Sequence, residues 1–252
     1  MLYEQPLNAS VRAFLRTEYL LDVAMSAAQG NAPRESHAAL AVLVDLTDLL
    51  GRMDLRSDIT KEMNRQIVRL KGLMENPKVD GQRLEETLAE LGDTVQNLRG
   101  IDFQPGRALR NDELVSSVRQ RMTLPAALCN FDAPAYHHWL NRPAAVRQER
   151  LRGWLGDLMP LCGAVEQTLS IIRDSAALRK ETAADGFFVQ TLDGKGNIQM
   201  VRVALPAHES CYPEVSGDKH RITVRFLEQT EPSEKPSQCP RDIPFEVAFC
   251  GL

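Results

Sequence analysis

Apolar residues recur at helical spacing along most of the chain and give way, near residue 183, to short segments rich in β-branched and aromatic residues. The pattern predicts an α+β fold: a mostly helical bundle domain with a smaller antiparallel β-strand domain packed on helices. Asn8 can cap a first helix carrying Val11, Phe14, Leu15 and Tyr19; Ser36 can cap a second carrying Leu40, Leu43, Leu46, Leu49 and Leu50, stopped by Gly51. The clearest rows follow. Ile59, Met63, Ile67, Leu70 and Met74 precede a break at Asn76-Pro77, and Leu84, Leu88, Leu91, Val95 and Leu98 come after it. The second row steps by four and three, which draws one narrow apolar seam along a helix, and a short Pro-containing turn folds two such helices into an antiparallel hairpin over 55–99. A seam this narrow can pack within its own chain or against a partner.

Beyond the Pro105-Gly106 loop, Asn111 can cap a short helix through Arg121 with Leu114, Val115 and Val118 inward. Asp132 and Pro134 read as N-cap and first-turn proline of a helix holding His137 and Trp139, and Arg142-Pro143 opens a longer one that Pro160 bends. Strands are predicted at 186–192, 198–205, 220–227 and 243–250, and the Gly-rich turn Asp193 to Asn197 reads as a hairpin between the first two. Thr230 to Gln238, polar and Pro-containing, reads as a mobile loop, and Met1 to Gln5 can add one more strand to the sheet. This gives an α-helical domain at 20–110 and a β-strand domain with flanking helices at 1–19 plus 111–252.

Composition narrows the class. The 252 residues are 43% hydrophobic and 25% charged, which excludes collagen-like, disulfide-scaffold and wholly disordered chains. Thirty basic against thirty-four acidic residues leave a net charge of −4, so nucleic acid or an acidic membrane is not attracted by the bulk field, and any basic site must be a local patch. Five cysteines without CxxC or Cys/His metal spacing suit a reducing compartment; with no signal-peptide pattern at the first residues and no membrane-length apolar run, a cytoplasmic protein is expected. No metal or other cofactor is predicted.

Gly194-Lys195-Gly196 has neither the GxxxxGK[ST] spacing nor the following helix of a phosphate loop. Neighbouring His137 and His138 point about 100° apart on a helix and cannot share one ion. Cys129 with His137 invites a hydrolase reading, for which a structural or peptide-contacting histidine is the simpler account. Asp48, Asp54 and Asp58 lack a partner acid and read as caps and solvated faces. Basic residues carry more. Arg52, Arg56, Lys61, Arg65, Arg69 and Lys71 run along one helix, which keeps a nucleic-acid-binding adaptor open as the alternative function. Arg221 and Arg225 share one face of a strand with Thr223, while Ile222, Val224 and Phe226 fill the other. Guanidinium groups on a rigid sheet suit the carboxylates of a partner, and an ordinary solvated face fits the spacing as well.

Several ordered blocks settle on one family. They are Glu4 to Asn8 with Arg12 and Leu15 to Glu18; Val118 to Arg121; Cys129 to Asp132 with Pro134 and His137 to Leu140; Ile172-Arg173 with Arg179-Lys180; and Tyr212-Pro213 with Ser216-Gly217 and Arg221 to Phe226. Together they resemble the Z-ring-associated protein D (ZapD) family of bacterial cell division proteins from residue 2 to about 250. The resemblance implies a non-enzymatic, dimeric factor that binds the C-terminal peptide of FtsZ, the tubulin-like division protein, and bundles its protofilaments at midcell, with no nucleic-acid or direct membrane partner. The peptide site it implies maps onto Arg16, Arg52, Arg119, His137, Arg221 and Arg225. Glu113 and Leu73 depart from the family's basic and tryptophan positions. Asp242 to Phe245 looks like the acidic-apolar tail of FtsZ itself, but the start of an edge strand is the simpler account.

Overall fold

The structure, a computed structural model, describes residues 1–100, 103–192, 197–218, 220–229, 231 and 233–251. Among them the order is β1 (Leu2–Pro6), α1 (Ala9–Ala28), α2 (Pro33–Arg52), α3 (Leu55–Lys71), α4 (Gly81–Arg99), α5 (Arg107–Asn111), α6 (Glu113–Met122), α7 (Pro134–Leu140), α8 (Ala144–Gly156) and α9 (Met159–Asp174). Seven strands then follow: β2 (Arg179–Ala183), β3 (Phe187–Thr191), β4 (Met200–Ala204), β5 (Tyr212–Gly217), β6 (Arg221–Glu228), β7 (Ser237–Gln238) and β8 (Ile243–Cys250). The α+β class holds. The chain divides into a helical unit, Phe14–Thr168, and a β unit made of Met1–Ala13 and the residues from Leu169 onward.

In the helical unit, Leu40, Leu43 and Leu46 of α2 are buried at i, i+3 and i+6 against Trp139, Leu151, Trp154 and Leu158. Helix α2 begins three residues before Ser36, because Pro33 presets its first turn and the Glu35 carboxylate accepts from the Ala32 N–H at 2.7 Å. Ser36 is instead buried and accepts from Arg147 Nε at 3.0 Å, and the same guanidinium donates to the carbonyls of Asn31 and Arg142. Gly51 does not stop the helix, which runs on to Arg52; a glycine costs about 1 kcal/mol there, less than the packing of a 20-residue apolar stripe returns. Tyr19, expected inward, is 67% exposed.

The hairpin is present and antiparallel: Arg56, in the first turn of α3, donates to the carbonyls of Gly100 and Phe103 just beyond α4, at 3.2 and 2.9 Å. Its buried row differs from the predicted one. Leu55, Ile59, Met63 and Gln66 face in from α3, and Gln66 donates to the Thr168 carbonyl at 3.0 Å, whereas Met74 lies exposed past the helix end. Asp112, not Asn111, caps α6, because Asn111 is consumed as the last residue of α5. The Asp112 carboxylate accepts from the backbone N–H groups of Leu114 and Val115, from Arg150 at 2.9 Å and from Trp154 Nε1 at 3.1 Å. Asp132 likewise yields its predicted cap to Ala133, and the bend at Pro160 becomes a break, with α8 ending at Gly156 and Pro160 in the first turn of α9.

The β unit is two antiparallel sheets, ordered β1-β4-β8-β2 and β3-β6-β5, with β7 beside the end of β6. One core lies between them: Val201, Val203, Ile243, Phe245 and Val247 from the first sheet meet Ile222, Val224 and Phe226 from the second. The Phe245 ring stands edge-on to Phe226 and Phe188, with centroids 5.0 and 5.2 Å apart. On its other face the first sheet meets the end of α9, where Arg173 pairs with Glu4 at 2.7 Å and Glu4 also pairs with Arg202. Met1 to Gln5 does join a sheet, as β1 against β4.

Two strand predictions change. The predicted hairpin joins segments that belong to different sheets, since β3 pairs with β6 and β4 with β1 and β8; residues 193–196 of its turn lie outside the described residues. Two sheets that each carry one apolar face cover each other best when the chain crosses between them. The loop at 230–238, of which Thr230 and Pro232 lie outside the described residues, ends in β7 paired to Leu227 and Glu228. Strands β2 and β5 went unread, β5 lying in the segment between 205 and 220 that reads as a loop; for β2, Asp185-Gly186 supplies the signal: both have positive φ, 49° and 71°, and Phe187 N–H closes the turn on the Ala184 carbonyl at 2.9 Å.

Asp112 ties α6 to α8 through one carboxylate. Burial pushes its pKa up, but the bonds from Arg150, Trp154 and Val115 outweigh that and hold it below the usual carboxylate range. Its contribution to stability is therefore full above the ordinary carboxylate pKa and is lost as pH falls through the depressed folded value. Asp112→Ala is expected to lower unfolding free energy by about 2 kcal/mol in urea titrations at neutral pH, with the deficit shrinking in acid.

Candidate functional site

The outer face of the second sheet follows from its inner one. With Ile222, Val224 and Phe226 in the core, Arg221, Thr223 and Arg225 must point away from it, and both arginines are exposed. Register sets what lies beside them: Phe187 stands opposite Arg225, Val189 opposite Thr223 and Thr191 opposite Arg221. On the far side of β6, Glu214 and Ser216 of β5 face Arg225 and Thr223. Three parallel rows result, apolar on β3, cationic on β6 and polar on β5. Phe187 and Val189 remain 44% and 42% exposed. Arg225 Nη2 donates to the Glu214 carboxylate at 3.1 Å, and the hydroxyls of Ser216 and Thr223 bond at 2.8 Å. Arg221 makes no ion pair among the described residues, although the Asp218 carboxylate is near enough for the two charges to attract.

Asp218 sets up that end of β6. Its carboxylate accepts from the N–H groups of His220 at 2.7 Å and Arg221 at 2.9 Å, and its own N–H donates to the Arg221 carbonyl. The two backbone bonds hold this carboxyl below its ordinary pKa.

In the helical unit, Arg16 of α1 and Arg52 of α2 line a cavity of about 450 Å³ together with Tyr19, Asp45, Asp48 and Leu49. Arg119 of α6 reaches the same place, with its guanidinium 2.6 Å from the Asp48 carboxylate. Arg16, Arg52 and Arg119 thus meet at one cavity, which Asp45 and Asp48 also line; the sequence pattern gave Asp48 as a cap or solvated face. His137 stands apart from them; exposed on α7, it contacts Asn141 at 3.3 Å. The row from Arg52 to Lys71 is not one free basic face, since Arg56 is spent on two carbonyls and Arg65 pairs with Glu62 at 2.6 Å. That weakens the nucleic-acid alternative.

The Cys129 thiol is not that of an activated nucleophile. Burial and the Asp132 carboxylate, which accepts from it at 3.4 Å, push its pKa up. Among the described residues no group of three His, Cys, Asp or Glu side chains is arranged to hold a metal ion, and no helix is long and apolar enough to cross a membrane. Gly194-Lys195-Gly196 lies outside the described residues. Asp242 to Phe245 does not begin an edge strand. Ile243 and Phe245 are core residues of β8, which runs between β4 and β2, and Pro244 sits where β2 alone lies alongside, so its missing N–H breaks no ladder on the β4 side. Sequence reasoning missed Phe187, Val189, Glu214 and Asp218; the first two were inside a predicted strand, but only the pairing register of β3 against β6 reveals which face they share.

Fold and surface together define an α+β protein whose two units each display guanidinium groups beside exposed apolar side chains. Residues 15–225 match the family model described as ZapD, cell division protein. The chain is 36% identical to the cell division protein ZapD of Methylococcus capsulatus over 252 residues, covering all of this chain and 98% of that one. It is 35% identical to that of Aromatoleum aromaticum over 99% of this chain and 97% of the relative, and 36% identical to that of Bordetella petrii over 100% and 99%. The chain belongs to the ZapD family of cell division proteins.

Asp218→Ala is expected to accelerate amide exchange at His220 and Arg221 while leaving the core of β6 protected. In the unaltered protein, carboxyl NMR should find Asp218 titrating below the roughly 3.9 of a free aspartate.

Proposed function

We propose that this protein is a cytoplasmic, non-enzymatic division factor that binds the C-terminal tail of FtsZ and, as a homodimer, cross-links FtsZ protofilaments at the midcell ring. The observation that carries the reading is the outer face of β6, where Arg221 and Arg225 project from a rigid sheet beside exposed apolar side chains. A short tail with carboxylates and a few apolar residues needs such a surface. Bidentate guanidinium–carboxylate pairing supplies direction, and apolar contact supplies affinity. Arg16, Arg52 and Arg119, which meet at one cavity of the helical unit, and His137 on α7 are the further residues assigned to tail binding. No cofactor, nucleic acid or membrane contact enters this mechanism.

Each tail contact is weak, because a disordered peptide loses conformational freedom on binding. Two sites on a dimer that meets many tails on one polymer raise avidity by roughly 10²- to 10⁴-fold, which turns weak contacts into a cross-link.

The test is anisotropy of a labelled FtsZ C-terminal peptide titrated with the protein. Saturable binding is expected, falling as salt shortens the Debye length from about 10 Å at 0.1 M to about 3 Å at 1 M. Arg221→Glu should weaken it by at least about tenfold with unchanged circular dichroism. Normal tail binding by the charge-reversed protein overturns the assigned face. Bundling by a protein that sediments as a monomer overturns the cross-link.

A further inference from the structure

We infer that the β3 row, Phe187 and Val189, is the specificity-determining half of this site, and that it fixes which way the bound peptide runs. The inference rests on the tail-binding reading above and deepens it. Phe187 and Val189 lie two residues apart on one face of β3, about 7 Å along the strand, and open to solvent beside the cationic row. An isolated solvated face has no use for two large exposed apolar side chains next to each other; an acidic-apolar peptide does.

The two ends of the strip differ. At the Phe187 end, Arg225 already holds the Glu214 carboxylate at 3.1 Å, which draws its guanidinium toward β5. At the Thr191 end, Arg221 makes no ion pair among the described residues: the Asp218 carboxylate is near enough for the two charges to attract, but it accepts from backbone N–H groups and leaves the guanidinium fork open. Arg221 and Arg225 are about 13 Å apart along β6, the span of four extended residues. The peptide therefore lays its apolar residues over Phe187 and Val189 and sends its free carboxylate to Arg221.

Three variants in the full chain test this against the labelled FtsZ tail peptide: Phe187→Ser, Phe187→Leu and Glu214→Gln. Phe187→Ser is expected to weaken binding by about tenfold with the salt dependence retained, and Phe187→Leu to restore most of it. Glu214→Gln frees Arg225 and should strengthen binding several-fold. A spin label on the acidic end of the peptide should broaden amide signals around Arg221 more than those around Phe187. If the wild type binds, Arg221→Glu fails to bind and Phe187→Ser binds like the wild type, the apolar row is not part of the site and this inference falls alone. Broadening centred on Phe187 reverses the direction and overturns it as well. A wild type that does not bind the tail removes the tail-binding reading, and this inference with it.

Discussion

Every feature of the sheet surface depends on the two-residue period of β6. Ile222, Val224 and Phe226 have one favourable destination, the core between the sheets, and their burial leaves Arg221, Thr223 and Arg225 no choice of side. A slip of one residue would exchange the two sets and bury two guanidinium groups, at a cost far above the stability of a domain this size. This outer face is thus held by the core rather than by the bonds along it. It stays rigid even where the Arg225–Glu214 pair and the Ser216–Thr223 bond give way to other partners.

The same logic explains how a protein of net charge −4 offers cationic sites. Arginines are gathered by register in the β unit and by helix placement in the helical unit, and each group keeps one acid close: Glu214 beside Arg225 and Asp48 beside Arg119. The Arg225–Glu214 pair is exposed, so it contributes little to stability and is cheap to exchange for another carboxylate, while the Asp48 oxygen that meets Arg119 is buried. An arginine with such a neighbour gives up part of its attraction for acids in general and retains it where apolar contact adds to the charge.

Much of the fold was legible because periodicity reports burial directly. The α2 stripe, the antiparallel hairpin and the alternation in β6 all follow from the spacing of leucine, isoleucine and valine. What spacing does not report is pairing. The Gly-rich turn after β3 looked like a hairpin because a local signal says only that the chain reverses, not which strand it meets; the partners of β3 and β4 lie 30 to 200 residues away in sequence. Cap positions slipped by one to four residues: Asp112 took the place of Asn111 where two polar candidates stood together, and the alanines Ala32 and Ala133 stand at the caps expected of Ser36 and Asp132, since backbone geometry decides where the helix begins. The arginines proposed for tail binding come from composition and family likeness. Their apolar neighbours do not, because Phe187 becomes a neighbour of Arg225 only through the ladder.

Strand order also sets a timetable. Strand β1 is made before the helices, yet its partner β4 comes some two hundred residues later, and β8, to which both β4 and β2 pair, follows the other strands. During synthesis at about 5–20 residues per second, the helical residues are complete for several seconds before either sheet can close. Until then Leu2 and Tyr3 wait without a ladder. A chain interrupted before β8 would have its helices made, its first sheet split at the middle, and Ile243, Phe245 and Val247 missing from the core behind the strand that carries Arg221.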